Sequence, residues 1–374
     1  MGVRLHKSLI GSLNLIDRGE TAQLVAGEAT KVGDHKFSQS FLLNEWEQIV
    51  DAWQLKTWEE YRNVPRLGRK ARLSEKQRAL LWSIFEPVLK SLEADGKMTS
   101  SSVFTALADA LVNAKNPPYD FVVVDEAQDV TIAQLKFFAA VGAQRPNALF
   151  FSGDLGQRIF QQPFSWKSLG VDVRGRSRTL KVNYRTSHQI RRQADRLLGP
   201  ELVDVDGNKE DRRGTVSVFN GPPPKITSCD GQESEIVEVS AWLEQASKEG
   251  VLPHEIGIFV RSEGQLARAQ SAVAGTGLPS NVLDSNVEIV NGKISIGTMH
   301  LAKGLEFRAV AVMACDDEVI PLQARIESVT DDSDLQEVYD TERQLLYVAC
   351  TRARDQLMIS GVDPTSEFLE DIGA

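Results

Sequence analysis

Between residues 118 and 361 the chain returns repeatedly to one pattern: a short, largely apolar run, then a stretch with helical spacing. The runs are FVVVD (121–125), ALFFSGD (148–154), SRTLKVNYR (177–185), TVSVFNG (215–221), IGIFVRS (256–262), KISIGTMH (293–300), FRAVAVMAC (307–315) and QLMISG (356–361). Helix candidates fall between them at 186–198, 233–249, 263–274 and 334–351. A strand that is apolar on both faces needs cover on both, so this alternation predicts an α/β fold with parallel sheets flanked by helices.

The first 115 residues have a different texture. LNEWEQIVDAWQLKTWEEY (43–61) and SEKQRALLWSIFEPVLKSLEAD (74–95) place apolar residues three and four apart, which predicts amphipathic helices. Ser74 is an expected N-cap and Gly96 an expected stop. Trp46, Trp53, Trp58 and Trp82 sit on these helices, where they serve as core. The Gly/Pro/Asp-rich stretch 199–224 is expected to contain connecting loops. The expected division is a helical domain over 1–115, a first sheet domain over 116–178 and a second over 179–374.

Composition limits the function classes. Hydrophobic residues make up 42% and charged residues 25% of the 374, as in globular proteins. No apolar run approaches the roughly 20 residues that span a bilayer, and the basic N-terminus lacks the apolar core of a signal peptide. The three cysteines, Cys229, Cys315 and Cys350, form no C-x-x-C pair, which argues against a disulfide framework or a zinc site and fits a reducing cytoplasm. The net charge of −10 argues against a chain coated in nucleic acid. Two local clusters run the other way, however. One holds Arg62, Arg66, Arg69, Lys70, Arg72, Lys76 and Arg78. The other holds Arg174, Arg176, Arg178, Lys181, Arg185, Arg191, Arg192 and Arg196. Either is a footprint for a polyanion or a solvated face.

Five short segments carry chemistry. In FVVVDEAQD the strand ends on Asp125, where a carboxylate can hold Mg²⁺ through water while Glu126 orients or deprotonates an attacking water. FFSGDLGQRIF puts Gln157 just beyond a second strand, within reach of a phosphate oxygen. LKVNYRTSHQI offers Tyr184 as a flat face for a base and Arg185 as a rigid fork for phosphate. ISIGTMHLAKGLEF places Thr298, His300 and Lys303 after a strand and at the start of a short helix, a phosphate-binding setting. Glu306 follows, as an acceptor for sugar hydroxyls. TERQLLYVACTRARDQL ends a buried helical stripe with Arg352 and Arg354, placed either to complement the helix dipole or to face a γ-phosphate.

In order and spacing, DEAQD, GDLGQRIF, NYRT, GTMHLAKGLEF and ERQLLYVACTRAR closely resemble the second to sixth motifs of the UvrD/Rep-type superfamily 1 DNA helicases. The resemblance covers roughly residues 120–360. It implies two RecA-like parallel-sheet domains with ATP between them and single-stranded DNA across their tops. It further implies that Asp125 binds Mg²⁺ and that Glu126 activates water. Gln157, Arg185 and Arg352 would touch the γ-phosphate, Tyr184 would stack on the base and Glu306 would contact the ribose. Thr298 and His300 would face DNA, helped by an aromatic from Phe160, Phe164 or Trp166. The implied activity is ATP-driven translocation or unwinding with 3′-to-5′ polarity.

The resemblance has gaps, the family's glutamine-bearing adenine motif and its first DNA-contact motif among them. The family's first motif, G-x-x-x-x-G-K-[ST], is not among the 374 residues. Gly96-Lys97 and Gly292-Lys293 lack the glycine before and the hydroxyl after. The first 115 residues resemble the family's helical insertion. The expectation is therefore an incomplete first RecA-like domain, with apolar surface on the 121–125 strand partly uncovered unless the N-terminal helices or a second copy cover it. By itself the chain is expected not to turn over ATP. A missing N-terminal segment or a partner chain would supply the phosphate loop. Only about 110 residues separate NYRT from GTMH, enough for a second RecA-like domain without a large insertion. The competing expectation is a non-catalytic helicase-like DNA-binding or interaction module.

Overall fold

The computed structural model describes residues 2–33, 35–64, 73–112, 114, 118–143, 145–159, 164–199, 201–284, 286–327 and 332–373. It divides into two compact units. One comprises Met1–Asp154, Phe160–Ser177 and Asp204–Asn208, and the other Leu155–Ile159, Arg178–Val203 and Lys209–Ala374.

The first unit opens with helices. Arg18–Val32 starts at a capping box between Asp17 and Glu20, and Glu75–Ala94 at one between Ser74 and Gln77. The expected cap at Ser74 is thus in place, and Gly96 follows the helix end in the left-handed region at φ 60°. The 43–61 segment is not one continuous helix. Gln39–Glu45 passes into a π-helical turn over Trp46–Asp51, Gln54 takes φ 56°, and Thr57 caps a new helix, Trp58–Asn63. The wider turn lets Trp46, Ile49 and Val50 all face inward. They join Tyr61, Leu81, Ile84, Phe85 and Val88, with Trp82 buried and Trp53 and Trp58 packed partly against them. The buried carboxylate of Glu45 accepts the Tyr61 hydroxyl at 2.8 Å.

Two small parallel sheets complete this unit. β1 (Asn14–Leu15) pairs with β2 (Lys97–Met98), and β3 (Val122–Val124) pairs with β4 (Leu149–Phe151) in the register Val123↔Phe150. Thr131 caps the crossover helix Ile132–Gly142. One face of the β3–β4 sheet is covered: Val122 packs with Val103, Leu107 and Leu111 of helix Ser100–Val112 and with Phe137 and Val141. The opposite face is bare, with Phe121, Val123 (75% exposed) and Phe150 open to solvent. The uncovered apolar surface expected on this strand is present.

In the second unit, parallel β5 (Val182–Asn183) and β8 (Val216–Ser217) flank an antiparallel hairpin of β6 (Glu201–Val203) and β7 (Lys209–Asp211) in the sequence. The main sheet has six strands, all parallel. They are β9 (Lys225–Cys229), β10 (Ile256–Val260), β11 (Ser280–Val282), β12 (Ile294–Thr298), β13 (Phe307–Val312) and β14 (Ala353–Val362), in the order β11-β12-β10-β13-β14-β9. Helices Gln232–Lys248 and Leu266–Thr276 contribute Val239, Leu243, Ala269 and Val273 to one core layer, against Ile258, Ile296 and Ala311. Ile190, Leu345, Leu346, Val348 and Phe368 form another, against Phe259, Val310 and Ile359.

Each of the eight apolar runs contains a strand. The differences lie where strands are polar. KITSC forms edge strand β9, SNV forms edge strand β11, and the stretch expected to hold connecting loops contains a hairpin. The hairpin turn is organised by Asp204, whose carboxylate accepts the Asp206 and Asn208 amides, with Gly207 at φ 81°. No described helix is long and apolar enough to cross a membrane.

Candidate functional site

In the first unit the acidic segment is a hydrogen-bonded turn at the tip of β3. The Ser152 amide donates to the Val124 carbonyl and the Ala127 amide to the Ser152 carbonyl, both at 2.8 Å. Asp125 and Glu126 are exposed. The Asp125 Oδ1 accepts the Ser152 hydroxyl at 2.6 Å and the Glu126 amide at 3.0 Å. The Ser152 hydrogen bond, then the Glu126 amide, hold the Asp125 carboxyl below the usual carboxylate range. Glu126 is left-handed at φ 52°, ψ 44°, a region non-glycine residues seldom occupy. Among the described residues no group of three or more His, Cys, Asp or Glu is placed to hold a metal. A single exposed, ionised carboxylate suits Mg²⁺, which commonly keeps waters and phosphate oxygens as its other ligands.

In the second unit the structure brings Gln157 and Arg352 together. Gln157 ends the short turn Leu155–Gln157, and Arg352 follows the helix Asp332–Cys350. Arg352 is 1% exposed. Its Nε donates to the Val348 carbonyl at 3.0 Å, Nη1 to the Leu305 carbonyl at 3.4 Å and Nη2 to the Gln157 Oε1 at 3.0 Å. Lys303 Nζ donates to the Gln157 carbonyl at 2.7 Å.

Arg185 and Glu306 also meet, Nε to Oε2 at 3.2 Å, each about half exposed. Asn183 sets the turn before them by accepting the amides of Arg185 and Thr186. Tyr184 is exposed. Thr298 ends β12, and His300 lies in the turn Met299–Ala302 that follows. Burial, then the positive charge of Arg261, pushes the His300 imidazole down to about 4. It is therefore neutral near pH 7.

Several contributors were not singled out from the sequence. Gln128 bridges Glu126 and Asp154, and Ser152 holds Asp125. Their positions inside DEAQD and FFSGD were the only signal. Arg261 forms a two-pronged buried pair with Glu342, at 2.5 and 2.6 Å, which also takes Arg325 at 2.8 Å. Their partners are 81 and 17 residues away in sequence, too far for local spacing to reveal. Of the three candidate aromatics, Phe160 lies outside the described residues. Phe164 and Trp166 are partly buried in the first unit's core, with Trp166 edge-on to Phe151 at 4.8 Å. Arg66, Arg69, Lys70 and Arg72 of the first basic cluster also lie outside the described residues.

A family model described as the UvrD-like helicase C-terminal domain matches residues 281–363, the stretch from β11 through β14 that holds Thr298, His300, Glu306 and Arg352. A protein named "Probable DNA helicase" from Mycoplasma pneumoniae is 25% identical over 266 residues, covering 68% of this chain and 46% of that protein. The ATP-dependent DNA helicase PcrA of Staphylococcus aureus is 38% identical over 81 residues, 22% of this chain and 10% of that one. Among solved structures, the C-terminal domain of a possible DNA helicase from Lactobacillus plantarum matches 51% of this chain at 22% identity and a TM-score of 0.36, too loose to carry a fold argument. The matched region thus spans about half the length of the first relative and a tenth of the second. Over residues 281–363 the chain is similar to the C-terminal domain of UvrD-like helicases, and the curated proteins it matches are named as DNA helicases.

Proposed function

We propose that this chain is part of an ATP-dependent translocase or helicase acting on single-stranded DNA with 3′-to-5′ polarity, built on two RecA-like domains of which the first is incomplete here. Asp125 holds Mg²⁺, which neutralises charge on the nucleotide's phosphates when bound. Glu126 orients water for attack on the γ-phosphorus and takes its proton as the bond to the ADP oxygen breaks. Gln157 and Arg352 respond to the γ-phosphate, joined by Arg185. Tyr184 stacks on the base and Glu306 binds the ribose. Thr298 and neutral His300 face the DNA, with Phe160, Phe164 or Trp166 as stacking partner.

The observation that carries this reading is the Arg352–Gln157 hydrogen bond at 3.0 Å. A buried guanidinium tied to a carboxamide at the end of a short turn is a ready relay between phosphate and fold. The Arg185–Glu306 pair, next in sequence to exposed Tyr184, gathers base, sugar and phosphate groups in one place. The phosphate loop comes from elsewhere in the protein or from a partner chain, and the three buried free cysteines suit a reducing cytoplasm.

The absence of G-x-x-x-x-G-K-[ST] from the 374 residues favours a second reading, a DNA-binding module without ATP chemistry. Single-stranded DNA affinity of the full-length protein, measured with and without ATP and Mg²⁺, separates the two. A motor changes affinity several-fold with nucleotide, and a module binds equally in both conditions.

A further inference from the structure

Gln128 sits inside the acidic turn but carries none of its charge. It is buried, and its amide is used at both ends. Nε2 donates to the Oε2 of Glu126, and Oε1 accepts the Asp154 amide at 3.0 Å. Gly153 is shaped to this arrangement: a Cβ there would stand 2.5 Å from the Gln128 Oε1 and 3.1 Å from the Ala127 nitrogen.

The backbone at Glu126 is fixed as well. Its left-handed conformation is disfavoured for a non-glycine residue, and the Ala127-to-Ser152 and Asp129-to-Glu126 hydrogen bonds hold it there. An exposed glutamate would still sample several rotamers, because its remaining torsions are free. A base works only within hydrogen-bond reach of the water it activates, and a displacement of 1 Å can cost roughly 100-fold in rate.

We infer that Gln128 is a positioning residue: its Nε2–H selects the Glu126 carboxylate orientation that meets the attacking water, and its Oε1 ties that choice to the Gly153-Asp154 loop. This rests on the proposed role of Glu126. The test is single-stranded-DNA-stimulated ATP hydrolysis by the full-length protein, comparing Gln128→Glu, Gln128→Ala and Glu126→Gln. Q128E keeps an acceptor for the Asp154 amide but replaces the donor to Glu126 with a like charge. Positioning predicts that kcat falls roughly 10- to 100-fold in both Gln128 variants, with KM for ATP unchanged and the melting temperature of Q128E held. A kcat for Q128E equal to that of the unmodified protein, with only Q128A impaired and less stable, overturns positioning in favour of a loop-holding role. Turnover that survives in E126Q, or none in the unmodified protein, overturns instead the reading of Glu126 on which the inference stands.

Discussion

Arg352 donates its Nη2–H to the Gln157 Oε1 at 3.0 Å, joining side chains 195 positions apart in sequence. The guanidinium is held at the same time by the carbonyls of Val348 and Leu305, so its plane is fixed before any ligand arrives. Lysine at this position keeps the charge but cannot reach all three acceptors. Arg352→Lys is expected to lower unfolding free energy by about 1–3 kcal/mol, read from the urea midpoint at constant m-value. An unchanged midpoint would mean that these hydrogen bonds contribute nothing net.

Ser152→Ala removes the larger of the two groups that keep Asp125 ionised. The depressed carboxyl stays charged to lower pH than an ordinary aspartate, and whatever stability it contributes is present above the usual value and lost as pH falls through the lowered one. In S152A the carboxyl moves back toward the usual range. Mn²⁺ affinity, followed by paramagnetic relaxation against pH, should then be lost at a higher pH than in the unmodified chain.

His300 works in the same direction on acidification, by a different route. Its folded form resists protonation, because burial and the arginines Arg261 and Arg325 outweigh the opposing pull of Glu342. The unfolded chain takes up a proton near 6.5, the folded chain near 4, so stability falls as pH drops through that window. The loss attributable to this group is up to roughly 3 kcal/mol. His300→Gln should flatten the melting-temperature profile between pH 6.5 and 4 relative to the unmodified chain.

The bare face of the β3–β4 sheet makes a further expectation concrete. Val123 and Phe150 are register partners on that face and both lie open to solvent. The double variant Val123→Thr, Phe150→Ser should change stability by no more than about 0.5 kcal/mol while reducing light scattering at high concentration. A larger loss of stability would show that the face is covered in solution.

The parallel core was legible because its strands are apolar on both faces, as IGIFV and FRAVAV are. A strand such as KITSC at a sheet edge, half polar, lacks that signature. The acidic turn and the Arg352 helix end were legible through residue order alone. The bonds that aim them were not: Ser152 to Asp125 spans 27 positions and Gln157 to Arg352 spans 195, and only folding brings such partners within 3 Å. Trp166 shows the limit from the other side. Its aromatic face suits a base, yet the ring packs edge-on to Phe151, a contact no local pattern announces.

The most direct measurement is single-stranded-DNA-stimulated ATP hydrolysis, made on the 374-residue chain and on the full-length protein, each with and without Glu126→Gln. The expected result is no turnover from the chain alone, and turnover from the full-length protein that falls to background in E126Q. Hydrolysis by the chain alone, or hydrolysis in the full-length protein that E126Q leaves intact, would contradict it.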